Sequence, residues 1–328
     1  MFLAKRFYKA YLSGKYMKCL VTGGAGFIGS HLVDRLLKEG HDVVVIDDFS
    51  IGKEENLANH KGNRQLSVYR RSVCDNLTDL FMTGKFDVVF HLAAIASVQF
   101  SIQEPIKTHE VNVNGSLNLL NCCKKFNVKR FVFSSSASVY GDQDSLPLHE
   151  DTKPSPLCPY ALHKLIIENY CKLFHKLYGI ETICLRYFNV YGSRQDPGGA
   201  YALLIPKFIS LVNKNEIPII NGDGEQTRDF VYVDDVVNAI VAAGNTHSKE
   251  CFGQAFNIGS GKSISVNEVA NKIIELSSKN ITPRHGPALI EVKNSLPDIS
   301  KAKTLLCWEP KVSFEQGLKE TYKYFTDK

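Results

Sequence analysis

No stretch of this chain approaches the ~18 consecutive apolar residues that a membrane span needs, so a transmembrane helix is not expected. Nor is there a long run of one charge sign. Lys and Arg number 39 and Asp and Glu 34, for a net charge of +5. So mild a balance argues against a nucleic-acid partner and suits small anionic ligands. The nine cysteines are odd in number and scattered, which argues against a disulfide framework and points to a reducing cytosol. Cys122 and Cys123 are adjacent, a poor spacing for metal ligands, so they read as ordinary helix residues and no metal site is expected. Internal repeats and low-complexity linkers are also missing. What remains is a chain of 328 residues, 44% hydrophobic and 22% charged, long enough to bury a cofactor and a substrate together.

Residues 1–16 stand apart. They mix Lys5, Arg6, Lys9 and Lys15 with Phe2, Phe7, Tyr8 and Tyr11, and the apolar run is too short for a signal peptide. We expect an N-terminal extension that is frayed or precedes a start at Met17, with a short basic amphipathic anchor as the alternative. From Met17 onward, apolar strands alternate with helices. Strands are expected at Lys18 to Thr22, Asp42 to Asp47, Phe86 to Leu92, Arg130 to Ser134 and Thr182 to Arg186. Helices are expected from the glycine-rich turn to about Glu39, at Pro105 to Phe126 and at Tyr160 to Tyr178. Asp42 to Asp47 is too apolar for a half-exposed strand and reads as a buried parallel one. This order predicts an α/β fold with a Rossmann-type, doubly wound parallel sheet over residues 17–190. After about Tyr191 turn signals crowd in, at Asp196-Pro197-Gly198-Gly199, Asn221-Gly222-Asp223-Gly224 and Gly259-Ser260-Gly261. Helical patches at Ala202 to Lys214 and Val266 to Ser277 lie between them. Residues 191–328 therefore read as a smaller mixed α/β lobe for the substrate. The boundary is soft, because later strands can return to the main sheet.

The first strand runs into Thr22-Gly23-Gly24-Ala25-Gly26-Phe27-Ile28-Gly29-Ser30. A glycine pattern alone is weak, but between a strand and a helix it marks a dinucleotide site. Gly23 allows the tight turn, Gly26 lets the backbone approach a pyrophosphate, and Gly29 lets the helix pack close to the strand. The helix start, at Phe27 and Ile28, offers N–H groups and a partial positive charge to phosphates. Asp47 follows the second strand, where a carboxylate accepts both adenosine ribose hydroxyls and repels a 2′-phosphate; NAD is thus favoured over NADP. The plain alternative for Asp47 is a cap or turn residue, and Asp48 reads as a bystander.

Two segments add chemistry. Ser134-Ser135-Ser136-Ala137-Ser138-Val139-Tyr140-Gly141 closes a buried strand, where ligands of open parallel sheets sit. Tyr160 and Lys164 lie four apart and share a helix face. A free tyrosine, with a pKa near 10, is a poor base at neutral pH. A neighbouring ammonium and the cationic nicotinamide both favour the phenolate, which then takes a proton from a sugar hydroxyl as hydride leaves for the cofactor. Ser136 would hydrogen-bond the same hydroxyl. His163 reads as a polar neighbour only, and a surface pair is the plain alternative for Tyr160 and Lys164.

Together Gly23 to Gly29, Asp47, Ser136, Tyr160 and Lys164 resemble the extended short-chain dehydrogenase/reductase family. Within it the chain most resembles UDP-galactose (UDP-glucose) and UDP-N-acetylglucosamine 4-epimerases, from about Met17 to the C-terminus. The resemblance implies that His91-Leu92-Ala93-Ala94 brings Leu92, Ala93 and Ala94 beside the cofactor. It also implies that Asn112 is the family's helix asparagine and that Lys164 bonds the nicotinamide ribose. On the sugar side it implies a UDP-sugar substrate. Asn189, in Leu185 to Gly192, would meet the diphosphate. Arg228, in Asn221 to Phe230, would clamp it with its fork of donors, unless it is tied to Asp229 or Asp235. Asp196 to Ala202 with Ile205-Pro206-Lys207 is similar to the N-acetylhexosamine epimerases, and Ser295 leaves room for an acetamido group. A homodimer through the Pro105 and Tyr160 helices is also implied.

Two departures stand out. Ala288-Leu289-Ile290 replaces an arginine and glycine of many relatives, with Arg284 or Lys293 as candidate substitutes. Ser72 stands where relatives often carry an aspartate near the adenine. The expected reaction is NAD-dependent 4-epimerization through a 4-keto sugar. A 4,6-dehydratase or uronate decarboxylase is the first alternative. It is disfavoured because Ala137 and Ser138 occupy the place of an acid and supply no carboxyl group for proton transfer at carbon 5. A non-catalytic NAD-binding regulatory protein is the second.

Overall fold

The computed structural model describes residues 16–198, 204–288 and 292–327. The expected N-terminal extension, Tyr16 excepted, lies outside them. So do residues 199–203, with the expected helix start at Ala202, and residues 289–291 of the Ala288 departure.

Seven strands make the main sheet: β1 (Lys18–Thr22), β2 (Asp42–Asp47), β3 (Leu66–Arg70), β4 (Val88–His91), β5 (Arg130–Ser136), β6 (Glu181–Tyr187) and, after three small strands, β10 (Gln254–Ile258). The small strands are β7 (Asn189–Tyr191), β8 (Ile219–Asn221) and β9 (Thr227–Tyr232). The spatial order is β10-β6-β5-β4-β1-β2-β3, and the pairs β3–β2, β2–β1, β1–β4 and β4–β5 are parallel. This is the expected Rossmann-type α/β sheet. β2 shows why sequence and structure agree: Val43, Val44, Val45 and Ile46 are all buried, so β-branched side chains fill both faces of a strand covered on both sides. The helix after β1 spans Phe27–Lys38 and ends where Gly40 turns to φ +88°, a conformation glycine adopts without strain.

Some expectations need correction. The strand expected from Phe86 to Leu92 is shorter, Val88–His91. The helix expected over Pro105 to Phe126 is interrupted: Pro105–His109 and Ser116–Lys125 flank a π-helical segment, Glu110–Gly115. Such a bulge adds a residue without breaking the helix, and no periodicity signals it. The helix Val233–Asn245 was not expected. Most of its side chains are buried, and its outward stripe is narrow, Asp234, Asn238, Ala242 and Asn245, so the helical period is weakly marked among its apolar residues. β3 escaped for the opposite reason, being an edge strand with four of its five residues exposed.

The chain forms two compact units that interleave in sequence. The first takes residues up to Ser135, Cys158–Leu185 and Val237–Ala255; the second takes Ser136–Leu157, Arg186–Val236 and Phe256–Lys328. The chain therefore passes between units several times rather than once near residue 190. The first unit's core includes Leu20, Ile46, Phe81, Val89, Phe131 and both Cys122 and Cys123, which are helix residues packed as small apolar groups. All nine cysteines are free thiols. The second unit has its own core around Tyr191, Phe208, Ile209, Phe230 and Ile273. It carries two small sheets, β11 (Ser263–Ser265) with β9 and β7, and β12 (Arg284–Gly286) with β8. Among the described residues no helix is long and apolar enough to cross a membrane.

Candidate functional site

The glycine turn of the first unit is fixed by close approach. Gly23 has φ +69°, and a Cβ there would stand 2.8 Å from the Ala93 nitrogen. A Cβ on Gly29 would stand 2.1 Å from the Gly23 carbonyl oxygen, so the helix can lie this near the strand only with glycine at that place. Gly26 caps the helix without a side chain, and the first turn holds no acid. The N–H groups of Phe27 and Ile28 therefore lack intrahelical acceptors, as at any helix start, and keep their attraction for an anion.

Asp47 ends β2 and is buried. Its two oxygens accept from the Ala25 and Phe49 N–H groups, each at 2.9 Å. Burial raises its pKa, against the two N–H donors. A carboxylate has about four acceptor positions, so two remain for a pair of ribose hydroxyls. Gly52 lies against it, and a Cβ there would come within 2.7 Å of the carboxylate. Asp48 accepts from the Ser50 N–H and hydroxyl. The Ser72 N–H donates to Asp75, and its hydroxyl accepts from the Cys74 N–H.

Behind the turn lies a buried hydrogen-bonded chain that the sequence did not announce. Thr22 Oγ1 and His91 Nδ1 are 2.7 Å apart, and His91 Nε2 and Ser116 Oγ are 2.7 Å apart. Ser116 donates to the Asn112 carbonyl at 2.6 Å, so its oxygen accepts from His91. This assigns the ring proton to Nε2 and makes Nδ1 the acceptor for the Thr22 hydroxyl. Thr22 Oγ1 in turn accepts from the Leu92 and Ala93 N–H groups. Burial, with Lys164 nearby, lowers the His91 pKa to about 3. The Asn112 amide clasps Ile95, accepting from its N–H at 2.8 Å and donating to its carbonyl at 3.0 Å. Asn112 thus shapes the loop after β4. The π-helical segment that contains it presents both its amide and its carbonyl to this chain.

Tyr160 and Lys164 lie in the first two turns of the helix Pro159–Tyr178, and the Tyr160 N–H donates to Ser101. Lys164 is buried, its Nζ donates to the Ser134 carbonyl at 2.7 Å, and it stands 5.7 Å from the centre of the Tyr160 ring. Burial lowers its pKa to about 8, opposed by Glu168. His163 is buried, its Nδ1 has no hydrogen-bond partner, and its ring meets His109 edge to face at 5.2 Å. These residues fit a bound NAD: a glycine cradle that a Cβ would fill, a carboxylate with acceptor positions to spare, and a buried lysine next to a tyrosine.

In the second unit Ser136 closes β5, and its oxygen accepts from the Ser138 N–H and hydroxyl. A cavity of about 300 Å³ opens elsewhere in this unit, lined among others by Asn189, Gln195, Lys207, Asn221, Gln226 and Arg228. The structure thus brings Asn189 and Arg228 to one cavity; Ser136 and Ser295 do not line it. Asn189 donates to the Asp229 carbonyl at 2.9 Å, and Arg228 donates to the carbonyls of Thr227 and Lys293. Asp229 is buried, its carboxylate accepts from Ser260 and Lys262, and burial pushes its pKa up to about 6. Asp235 accepts from the Lys311 and Val312 N–H groups. Ser295 is buried and its N–H donates to the Thr227 carbonyl. Gln195, which sequence reasoning missed, donates to the Val190 carbonyl and leaves its buried Oε1 unpaired.

Residues 19–259 match the model of the NAD dependent epimerase/dehydratase family. The chain is 41% identical to a putative UDP-glucose 4-epimerase of Methanocaldococcus jannaschii over 303 residues, 92% of this chain and 95% of that one. It is similar to the crystal structure of UDP-glucose 4-epimerase of Thermotoga maritima with UDP-glucose, at 42% identity and TM-score 0.89, over 94% and 98% of the two chains. A UDP-N-acetylglucosamine 4-epimerase of Methanobrevibacter ruminantium, in complex with UDP-N-acetylmuramic acid, gives 39% and 0.90, over 95% and 99%. The matches extend to UDP-glucuronate 4-epimerases and to decarboxylases of UDP-uronic acids.

Proposed function

The chain belongs to the NAD-dependent epimerase/dehydratase family, and from that premise we propose that it inverts carbon 4 of a UDP-hexose through a transient 4-keto sugar. The observation that carries this reading is the buried Lys164 beside Tyr160 on one helix face, in the same unit as a glycine turn that fits NAD. NAD bound there would supply the hydride acceptor, and after reduction the hydride donor. Asp47 would hold the adenosine ribose, and the N–H groups at Phe27 and Ile28 the pyrophosphate. Asn112 would act indirectly, by placing the loop at Leu92 to Ala94.

In this reading the Tyr160 phenolate takes the proton of the sugar 4-hydroxyl as the carbon 4 hydrogen departs as hydride, and a C=O bond forms. Lys164 keeps the phenolate accessible near neutral pH by its charge. Ser136 donates its own proton to the sugar oxygen, because its acceptor positions already serve Ser138. The hexose then turns its other face, hydride returns to carbon 4, and Tyr160 returns the proton. Asn189 and Arg228 would bind the diphosphate, Arg228 by charge-assisted hydrogen bonds. The small Ser295 would tolerate an acetamido group, so UDP-GlcNAc and UDP-Glc are both candidate substrates. Elimination or decarboxylation is disfavoured by the neutral Ala137 and Ser138 after Ser136.

The test is incubation of the purified protein with UDP-Glc, UDP-GlcNAc and UDP-glucuronate, without added reductant, and separation of products. A mixture of the two carbon 4 epimers is expected. A keto-deoxy sugar or a pentose product would replace epimerization with elimination or decarboxylation, and no turnover of any nucleotide sugar would leave a non-catalytic NAD-binding protein.

A further inference from the structure

Directly beneath the Tyr160–Lys164 pair is a carboxylate that the reaction above does not use. Glu168 is only 8% exposed. It lies one helical turn beyond Lys164 and two beyond Tyr160, so all three share a face of the Pro159–Tyr178 helix. Its Oε1 accepts the hydroxyl of Ser135 at 2.5 Å, while Lys164 donates to the carbonyl of Ser134 at 2.7 Å. Two successive residues of β5 are thus gripped by side chains one turn apart on the helix. The next residue of the strand is Ser136.

We propose that Glu168 is a positioning residue for the Tyr160–Lys164 pair: it anchors the end of β5 through Ser135 and holds Lys164 in its charged form. A buried carboxylate is costly unless it meets hydrogen bonds and an opposite charge, and Glu168 has Ser135 for the first and Lys164 for the second. The other groups around Lys164 do not replace it. Phe133 of β5 offers a ring face at 4.9 Å. His91 of β4 is held neutral, and Cys184 of β6 is a buried thiol. His163 of the same helix has its pKa lowered to about 4. Burial lowers the Lys164 pKa, and the Glu168 carboxylate opposes it most strongly, ahead of the Cys184 thiol. Because Glu168 is nearer to Lys164 than to Tyr160 along the helix, its charge favours the ammonium more than it disfavours the phenolate. It therefore widens the pH range in which ammonium and phenolate coexist.

This inference rests on the proposed roles of Tyr160 and Lys164. The experiment is the pH profile of kcat for the full-length NAD-loaded protein and its Glu168→Gln variant, with Tm and the phenolate absorbance of Tyr160 recorded alongside. Glutamine still accepts the Ser135 hydroxyl but carries no charge. The expected result is a Tm within a few degrees of the parent and a kcat lowered roughly ten-fold on the alkaline side. The alkaline limb should move down by at least about half a pH unit, more than the acid limb. Limbs that superimpose on the parent, with kcat within about two-fold, overturn the proposal. If Glu168→Gln does not fold, Ser135→Ala decides: it keeps the charge, so it should lower kcat with both limbs in place, and a displaced alkaline limb there overturns the charge argument. Tyr160→Phe separates the two levels. If it remains active, the base assignment itself is wrong; if it is inactive while Glu168→Gln behaves as parent, only the role of Glu168 falls.

Discussion

Acidification should loosen this protein at its glycine turn, because the link between Thr22 and Ser116 runs through a histidine that must stay neutral. His91 is 1% exposed, accepts from Thr22 at Nδ1 and donates to Ser116 at Nε2. A second proton would sit on Nδ1 and turn the acceptor into a donor facing a hydroxyl that already accepts two N–H groups. The folded pKa is depressed from 6.5 to about 3, so below pH 6.5 the unfolded chain binds the proton more readily than the folded one. Stability associated with neutral His91 is therefore complete above that pH and is lost as pH falls toward about 3. The loss between pH 7 and pH 5 is about 2 kcal/mol, and the full loss about 5 kcal/mol. For a chain of this size 2 kcal/mol corresponds to roughly 3 °C in Tm. The assay is Tm from pH 7 to pH 5 for the parent and for His91→Gln, whose amide offers both a donor group and an acceptor group and does not titrate. The variant should start lower at pH 7, because its fit is poorer, and fall about 3 °C less on the way to pH 5. Subtracting one curve from the other removes the contribution of His163, which is depressed in the same direction. Parallel curves would refute the argument, as would an NMR titration of His91 with a pKa near 6.

Other perturbations are expected to act separately on chemistry, cofactor and substrate. Tyr160→Phe should reduce kcat by at least about a thousand-fold while NAD affinity changes little, as expected for a lost general base; comparable losses in both would mean that the ring only supports the fold. Asp47→Ala should weaken NAD by roughly a hundred-fold through loss of two charge-assisted hydrogen bonds, and unchanged NAD retention on gel filtration would remove Asp47 from the site. Arg228→Ala should raise the inhibition constant of free UDP by about ten-fold or more with NAD binding intact; an unchanged constant would show that the second-unit cavity is not where the diphosphate sits.

The parts of the fold readable in the sequence share a physical cause. β1, β2 and the helix Phe27–Lys38 are specified locally, by runs of buried β-branched residues and by glycines that close approach makes irreplaceable. Tyr160 and Lys164 were also readable, because four residues of helix place them on one face whatever surrounds them. Sequence spacing says nothing about which helix side chain reaches which strand. Nothing in the sequence therefore separates Glu168, which accepts from Ser135, from other charged helix residues, or marks Gln195 as holding a buried unpaired oxygen. The π-helical segment was invisible for a related reason. The amide and carbonyl of Asn112 find Ile95 and Ser116 as partners only once the loop after β4 is in place.

The sequence by itself determined the order of strands and helices, the glycine turn with its acid at Asp47, and the tyrosine–lysine pair, since each rests on conformational limits or helix periodicity acting within a few residues. Tertiary structure alone decided that Lys164 and Glu168 are buried, that His91 is neutral, and that Asn189 and Arg228 share a cavity. Burial, protonation and shared cavities arise from residues far apart in the chain, and the electrostatic cost of taking a charge or a proton out of water exists only once those residues have come together.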